Sequence, residues 1–117
     1  MITVSRSILG YAITAKAEKI GPDWLVMISG GCAHHIGSTS VAWPESGEVR
    51  IQSTVLPKHK DHIVGELFAV RLASKLGCCV SASCGIHYDN LSAEEIDAVV
   101  ACAERLLEDL IGVISAG

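Results

Sequence analysis

From Trp24 to Ile28 the chain reads Trp-Leu-Val-Met-Ile, with no polar residue. The run is bounded by the turn-forming Gly21-Pro22-Asp23 on one side and by Gly30-Gly31 on the other. Such a stretch suits a central strand covered on both faces, so the rest of the chain has to surround it. The neighbouring sequence provides the means. In residues 11–18, Tyr11, Ile13, Ala15 and Ala17 alternate with Ala12, Thr14, Lys16 and Glu18, the period of a half-buried strand. Residues 8–20 and 23–29 therefore predict an antiparallel hairpin. A second hairpin follows. Ser38 to Trp43 is a short strand, Pro44-Glu45-Ser46-Gly47 a turn, and residues 48–55 a strand with Val49, Ile51 and Ser53 inward and Glu48, Arg50 and Gln52 outward.

Beyond Pro57 the period changes to that of a helix. From Asp61 or His62 to Leu76, the apolar positions Ile63, Leu67, Val70, Ala73 and Leu76 recur at helical spacing, and Gly77 suits the position just past the helix end. Residues 78–87 return to a strand. One of its faces is Cys78, Val80, Ala82, Cys84 and Ile86; the other is small and polar, with Cys79, Ser81, Ser83, Gly85 and His87. The second face suits a pocket or a close partner better than a core. Ser92-Ala93-Glu94-Glu95 is a capping box, flanked by Leu91 and Ile96 in the positions of a hydrophobic staple. The helix it opens has one apolar stripe: Ile96, Val99, Val100, Ala103, Leu106, Leu107, Leu110 and Ile111. The expected order is ββββαβα. That is an α+β fold, a mostly antiparallel sheet with two helices on one face and the other face solvated or used in a dimer. No repeat, linker or low-complexity tract interrupts residues 1–117, so the chain reads as a single domain.

Composition narrows the function classes. Half of the residues are apolar and 19% are charged, which excludes a disordered chain. The net charge is −4 and only 4% of residues are aromatic, so neither the basic field nor the stacking surface of a nucleic-acid binder is present. No stretch approaches the ~20 apolar residues of a membrane span, and no uncharged run near Met1 is long enough for a signal-peptide core. A cytoplasmic protein with no membrane partner is expected. The five cysteines, two of them adjacent and none in a Cys-x-x-Cys, read as small buried thiols in a reducing cytoplasm rather than a disulfide framework. A thin core and one bare sheet face predict a homodimer.

All five histidines fall in three short clusters. Gly30-Gly31-Cys32-Ala33-His34-His35-Ile36-Gly37 follows the apolar strand, and its glycines suit either an anion-binding concavity or a tight connection. It is neither a P-loop nor a Gly-x-Gly-x-x-Gly. Lys58-His59-Lys60-Asp61-His62 precedes a helix, where free amides and added positive charge suit an anion or simply a solvated helix entry. His59 and His62 also have a spacing compatible with a metal, a weak signal alone. Gly85-Ile86-His87-Tyr88-Asp89-Asn90 leaves a strand, with Asp89 and Asn90 as turn residues. If the topology joins these strand ends and helix starts, His35, His59 and His87 converge and could hold a transition metal or an anion. No carboxylate pair stands out for general acid/base work; Glu66 is the best single candidate, a surface ion pair its plain alternative. No serine nucleophile is placed beside a histidine by any motif.

The order Gly30-Gly31, His35-Ile36-Gly37, His59-Lys60-Asp61 with Glu66, then Gly85-Ile86-His87, over residues 8–112, resembles the LpdD family. This family comprises the small D subunit of gallate decarboxylase and related prenylated flavin chaperone domains. Where the family's pattern commonly has a proline before the His-Ile-Gly histidine, this chain has His34. The resemblance implies a fold similar to the proteasome-assembly chaperones. It also implies a non-catalytic accessory role toward a UbiD-type decarboxylase acting on aromatic or unsaturated acids, with prenylated FMN as the cofactor that is matured or delivered. Under that reading Gly30, Gly31, His35, Gly37, His59, Lys60 and His87 form the cofactor site. His35 and His59 bind the phosphate, Lys60 adds charge, and His87 meets the ring or a metal. Two alternatives remain from the residues alone: a small metal-dependent enzyme using His35, His59 and His87, and a dimeric interaction module without a ligand.

Overall fold

The computed structural model describes residues 1–57 and 62–117. Five strands precede the first helix: β1 (Ile2–Ile8), β2 (Tyr11–Ile20), β3 (Asp23–Gly31), β4 (Ser38–Glu45) and β5 (Glu48–Val55). They are followed by α1 (His62–Leu76), β6 (Val80–His87) and α2 (Ala93–Ala116). One six-stranded sheet has the order β1-β2-β3-β6-β4-β5. β6 runs parallel to β3, and every other neighbouring pair is antiparallel. The fold is therefore α+β with a mostly antiparallel sheet, as the periodicities predict.

The element order, however, is βββββαβα, one strand more than expected. The strand expected over 8–20 begins at Tyr11, and Ile2–Ile8 pairs with it across a two-residue turn. Leu9 (φ 52°) and Gly10 (φ 82°) both adopt left-handed backbone, the geometry that matches the twist of a tight hairpin. β1 escapes the hydrophobic alternation because Arg6 stands where an apolar residue would complete Ile2, Val4 and Ile8. Its guanidinium instead makes two hydrogen bonds to Asp109 of α2, at 2.6 and 3.1 Å.

Both helices cover the same sheet face. α1 packs on β4, β5 and β6, and α2 on β1 and β2. The strands present small residues to them, Ala15, Ala17, Ala42 and Ala82 all being fully buried, and the helices fill the space with Phe68, Leu72, Leu106, Leu107 and Leu110. This large-on-small packing keeps the helices close to the sheet. α2 starts at the expected capping box: the Glu95 amide donates to Ser92 Oγ (3.1 Å) and the Ser92 amide to Glu95 Oε1 (3.0 Å). Its buried side is Val99, Cys102, Ala103, Leu106, Leu107 and Leu110. The stripe expected on α1 is rotated. Val64, Gly65, Phe68, Ala69, Leu72 and Ala73 face the sheet, while Ile63 is 53% exposed. The segment is apolar on adjacent faces, so spacing alone fits two orientations; Gly65, packed on Ser38, Ser40 and Cys84, decides between them. Gly77 (φ 65°) ends α1, its amide donating to the Ala73 carbonyl at 2.9 Å.

The other sheet face carries no helix. Leu25, Met27, Val41 and Trp43 lie half-buried there among Thr39, Ser81 and Ser83. The run Trp24–Ile28, which suits a strand covered on both sides, is thus covered on one side within a single chain.

Candidate functional site

β3 and β6 are parallel and in register, Gly31 opposite His87, so the two strands end side by side. β4 lies beyond β6. The chain leaving β3 therefore has to cross the end of β6 to reach β4, and residues 32–37 make that crossing. The Cys32 amide donates to the His87 carbonyl (2.8 Å) and the Gly37 amide to the Cys84 carbonyl (2.9 Å). Nothing larger than glycine fits beneath. A Cβ on Gly85 would lie 1.7 Å from the His35 carbonyl oxygen, and one on Gly31, at φ 80°, would lie 1.9 Å from the His87 carbonyl oxygen. A Cβ on Gly30 would lie 2.6 Å from the Ala12 carbonyl oxygen. These glycines admit close backbone approach, and the amides of Cys32 and Gly37 are already engaged by β6.

The crossing brings two of the expected histidines together. The His35 and His87 rings lie 6.4 Å apart, edge to face at 79°. His34 turns toward the sheet instead, with Nδ1 2.9 Å from Ser29 Oγ, so His35 is the member of the pair beside His87. His59 and Lys60 lie outside the described residues. Both helices start at this same end of the sheet. α2 begins just after β6 ends; α1 finishes just before β6 begins, so its own start lies back toward the end of that strand. The positive dipole end of α2 is met by Glu94 and Glu95 in its own first turn. Glu66 is occupied elsewhere. Ser53 Oγ donates to its Oε2 at 2.5 Å, and Ser40 Oγ lies 2.8 Å from Ser53 Oγ, a polar chain beneath α1.

Further groups lie beside these histidines: Cys32, Tyr88 and Asp89 fall within the histidine clusters, where the sequence gives them no binding role, and Tyr11 lies outside them. Asp89 lies with Oδ1 2.9 Å from His87 Nε2, and the Cys32 thiol donates to its Oδ2 at 3.7 Å. Beside them is a pocket of about 280 Å³ lined by Leu9, Tyr11, Cys32, Tyr88, Asp89, Leu91 and Glu95. The two tyrosines of the chain meet in it, ring centroids 5.9 Å apart at 79°. Burial pushes the Tyr88 phenol up, so it stays neutral and donates to the Ile8 carbonyl at 2.8 Å. In a chain so poor in aromatics, the presence of just two tyrosines is the available signal, but Tyr11 opens β2 and Tyr88 follows β6, far apart in sequence, and only the fold brings them together.

The family described as prenylated flavin chaperone LpdD-like domain matches residues 7–115. The chain belongs to this family. The LpdD-like domain is 28% identical over 120 residues to Protein LpdD of Lactiplantibacillus plantarum, across 99% of this chain and 87% of that protein. Its fold is similar to a chain in the crystal structure of a chaperone complex for yeast 20S proteasome assembly, with a TM-score of 0.54, 13% identity and coverage of 98% and 95% of the two chains. That likeness concerns the fold alone. No helix among the described residues is long and apolar enough to cross a membrane.

The site's chemistry fits part of a flavin. The two tyrosine rings, packed edge to face, give with Leu9 and Leu91 an apolar patch for a ring edge or an apolar substituent, in a pocket that also carries Cys32 and the carboxylates of Asp89 and Glu95. At about 280 Å³ the pocket is below the usual ~300–1,000 Å³ of ligand pockets, so the rest of a mononucleotide would lie across the adjoining surface at His35 and His87.

Proposed function

We propose that this LpdD-like domain is a non-catalytic cytoplasmic chaperone. It binds prenylated FMN and assists its maturation or delivery to a UbiD-type decarboxylase. The observation that carries this reading is the His35–His87 pair, linked through Asp89 to the wall of a tyrosine-lined pocket, in a chain of the prenylated flavin chaperone LpdD-like family. Gly30, Gly31 and Gly37 shape the crossing. His35 and His59 take the phosphate, Lys60 adds charge, and His87 meets the ring system at the mouth of the pocket. Delivery needs a second protein to dock close by. Exposed apolar side chains gather at that end: Leu9, Tyr11, Ile36, Leu56, Ile63 and Ile96. They offer a decarboxylase a surface next to the cofactor rather than remote from it.

A homodimer completes the reading. Its interface would be the bare sheet face, where Leu25, Met27, Val41 and Trp43 await cover and the small hydroxyl side chains allow close approach.

The test is direct. Mixing the protein with an apo UbiD-type decarboxylase and prenylated FMN should accelerate formation of active enzyme, and flavin titration should give saturable binding. Alanine at His35, His59 and His87 together should abolish both while the circular dichroism spectrum stays unchanged. Full acceleration by the triple variant sinks the assigned site. Absence of flavin binding by the unaltered protein leaves the plain interaction module.

A further inference from the structure

We infer that Cys32, His87 and Asp89 form a divalent transition-metal site, of the kind that holds zinc, with one coordination position open toward the tyrosine-lined pocket. One ligand atom from each lies within 4.8 Å of the others. The separations suit a metal. Zinc bonds of about 2.0–2.3 Å in a tetrahedron put neighbouring ligand atoms roughly 3.3–3.8 Å apart. His87 Nε2 and Asp89 Oδ1 are 2.9 Å apart, and Cys32 Sγ and Asp89 Oδ2 are 3.7 Å apart, so small side-chain rotations reach that geometry.

The backbone holds the first two ligands in place before any ion arrives. Cys32 follows directly on β3 and His87 ends β6. The Cys32 amide is bonded to the His87 carbonyl at 2.8 Å, and the Gly31–His87 register fixes both. Asp89 is two residues on, its carboxylate turned back to both donors. A thiol, an imidazole and a carboxylate form a mixed set that favours zinc over magnesium or calcium, which take oxygen ligands. The ligands are open to solvent, His87 at 48% and Asp89 at 72% side-chain exposure, so an ion can enter. On binding, the thiol proton that now faces Asp89 goes to solvent, and the sulfur, the Nε2 lone pair and the carboxylate bond the ion. Affinity therefore rises with pH. Three protein ligands leave a fourth position, and Cys32 and Asp89 are shared with the pocket wall, so that position faces whatever occupies the pocket.

This set differs from a three-histidine centre, since a sulfur and a carboxylate replace two imidazoles, and it stands apart from the flavin reading because the ion alone is the probe. Cobalt(II) titration of the reduced protein should give thiolate-to-metal absorption that saturates at about one ion per chain. Cys32→Ser should abolish that absorption, while Cys79→Ser, just before β6 and at the far end of that strand from His87, should retain it. In competition with a chromogenic chelator, His87→Gln and Asp89→Asn should each weaken zinc by more than about tenfold, the lower end of what losing even an outer partner costs a metal site. No saturable cobalt binding at tens of micromolar, or a Cys32→Ser protein that binds like the original, overturns the inference. Metal binding without flavin binding would support it and count against the proposed cofactor instead.

Discussion

Gly85 shows how little room the crossing leaves. A single methyl there would overlap the His35 carbonyl, and backbone is on both sides of the contact. Gly85→Ala should destabilise the domain by about 1–3 kcal/mol, the usual range for overpacking, and should lift His35 away from His87. Gly112, inside α2, is the internal control: a Cβ there meets nothing within 4 Å, and the residue is exposed. Gly112→Ala should stabilise by roughly 0.4–1 kcal/mol by restricting the unfolded chain and favouring the helix. Urea unfolding of both variants checks the pair; equal effects of the same sign would contradict the described geometry. Cys32, by contrast, is an exposed thiol facing a carboxylate, whereas Cys78, Cys84 and Cys102 are buried, and burial pushes the Cys78 thiol up. By sequence all five cysteines read as buried thiols, which the structure corrects at Cys32, because a thiol's environment is not written in its neighbours.

At the scale of elements, the orientation of α1 and the docking of β1 carry the tests. Phe68→Ala should cost about 3–5 kcal/mol, as for a fully buried aromatic, while Ile63→Ala at the exposed edge should change stability by less than about 0.5 kcal/mol. Denaturant midpoints with the opposite ranking would mean the helix presents the stripe Ile63, Leu67 and Val70 to the sheet. β1 is held to α2 by Arg6 and Asp109. The hydrogen bond from Arg6, aided by its charge, holds the Asp109 carboxyl below its ordinary value near 3.8. A carboxyl depressed in the folded state contributes stability above its unfolded value and loses it as pH falls through the lower folded one. The stability gap between the natural protein and Asp109→Asn should therefore be constant above about pH 5 and close below pH 4. Both groups are exposed, so the gap is small, and 1 M salt should shrink it further. A gap that widens in acid would contradict the pairing.

For the whole molecule, the decisive feature is the unequal cover of the two sheet faces. A single chain of this size exposes half-buried Leu25, Met27, Val41 and Trp43 on the helix-free side. Light scattering should give the mass of two chains at micromolar concentration, and Val41→Lys should shift it toward one chain without melting the helices. A monomer at that concentration would leave the bare face solvated. The functional end is set at this scale too. Parallel β3 and β6, the crossing between them and both helix starts share one end, and the exposed apolar side chains gather there. On the proposed reading, cofactor contacts and partner docking would thereby be neighbours, as a handover requires.

Local order was legible because it is written in local periods. The alternation in 11–18, the capping box at Ser92 and Glu95, and the glycine at 77 each act within a few residues, and each appears in the structure where the sequence places it. So does the small polar face of 78–87. Both hairpins, β2 with β3 and β4 with β5, were also legible; what the sequence could not decide was how the two hairpins join. β6 is inserted between the two hairpins, parallel to β3 and antiparallel to β4, through pairings such as Trp24 with Val80 and Ser38 with Cys84 that are remote in sequence. That insertion forces residues 32–37 across the strand end, sets His35 rather than His34 beside His87, and draws Cys32, Asp89 and both tyrosines into one site. Hydrogen-bond pairing between strands carries no signature in either strand alone, so the chemistry assembled by that pairing belongs to the tertiary structure.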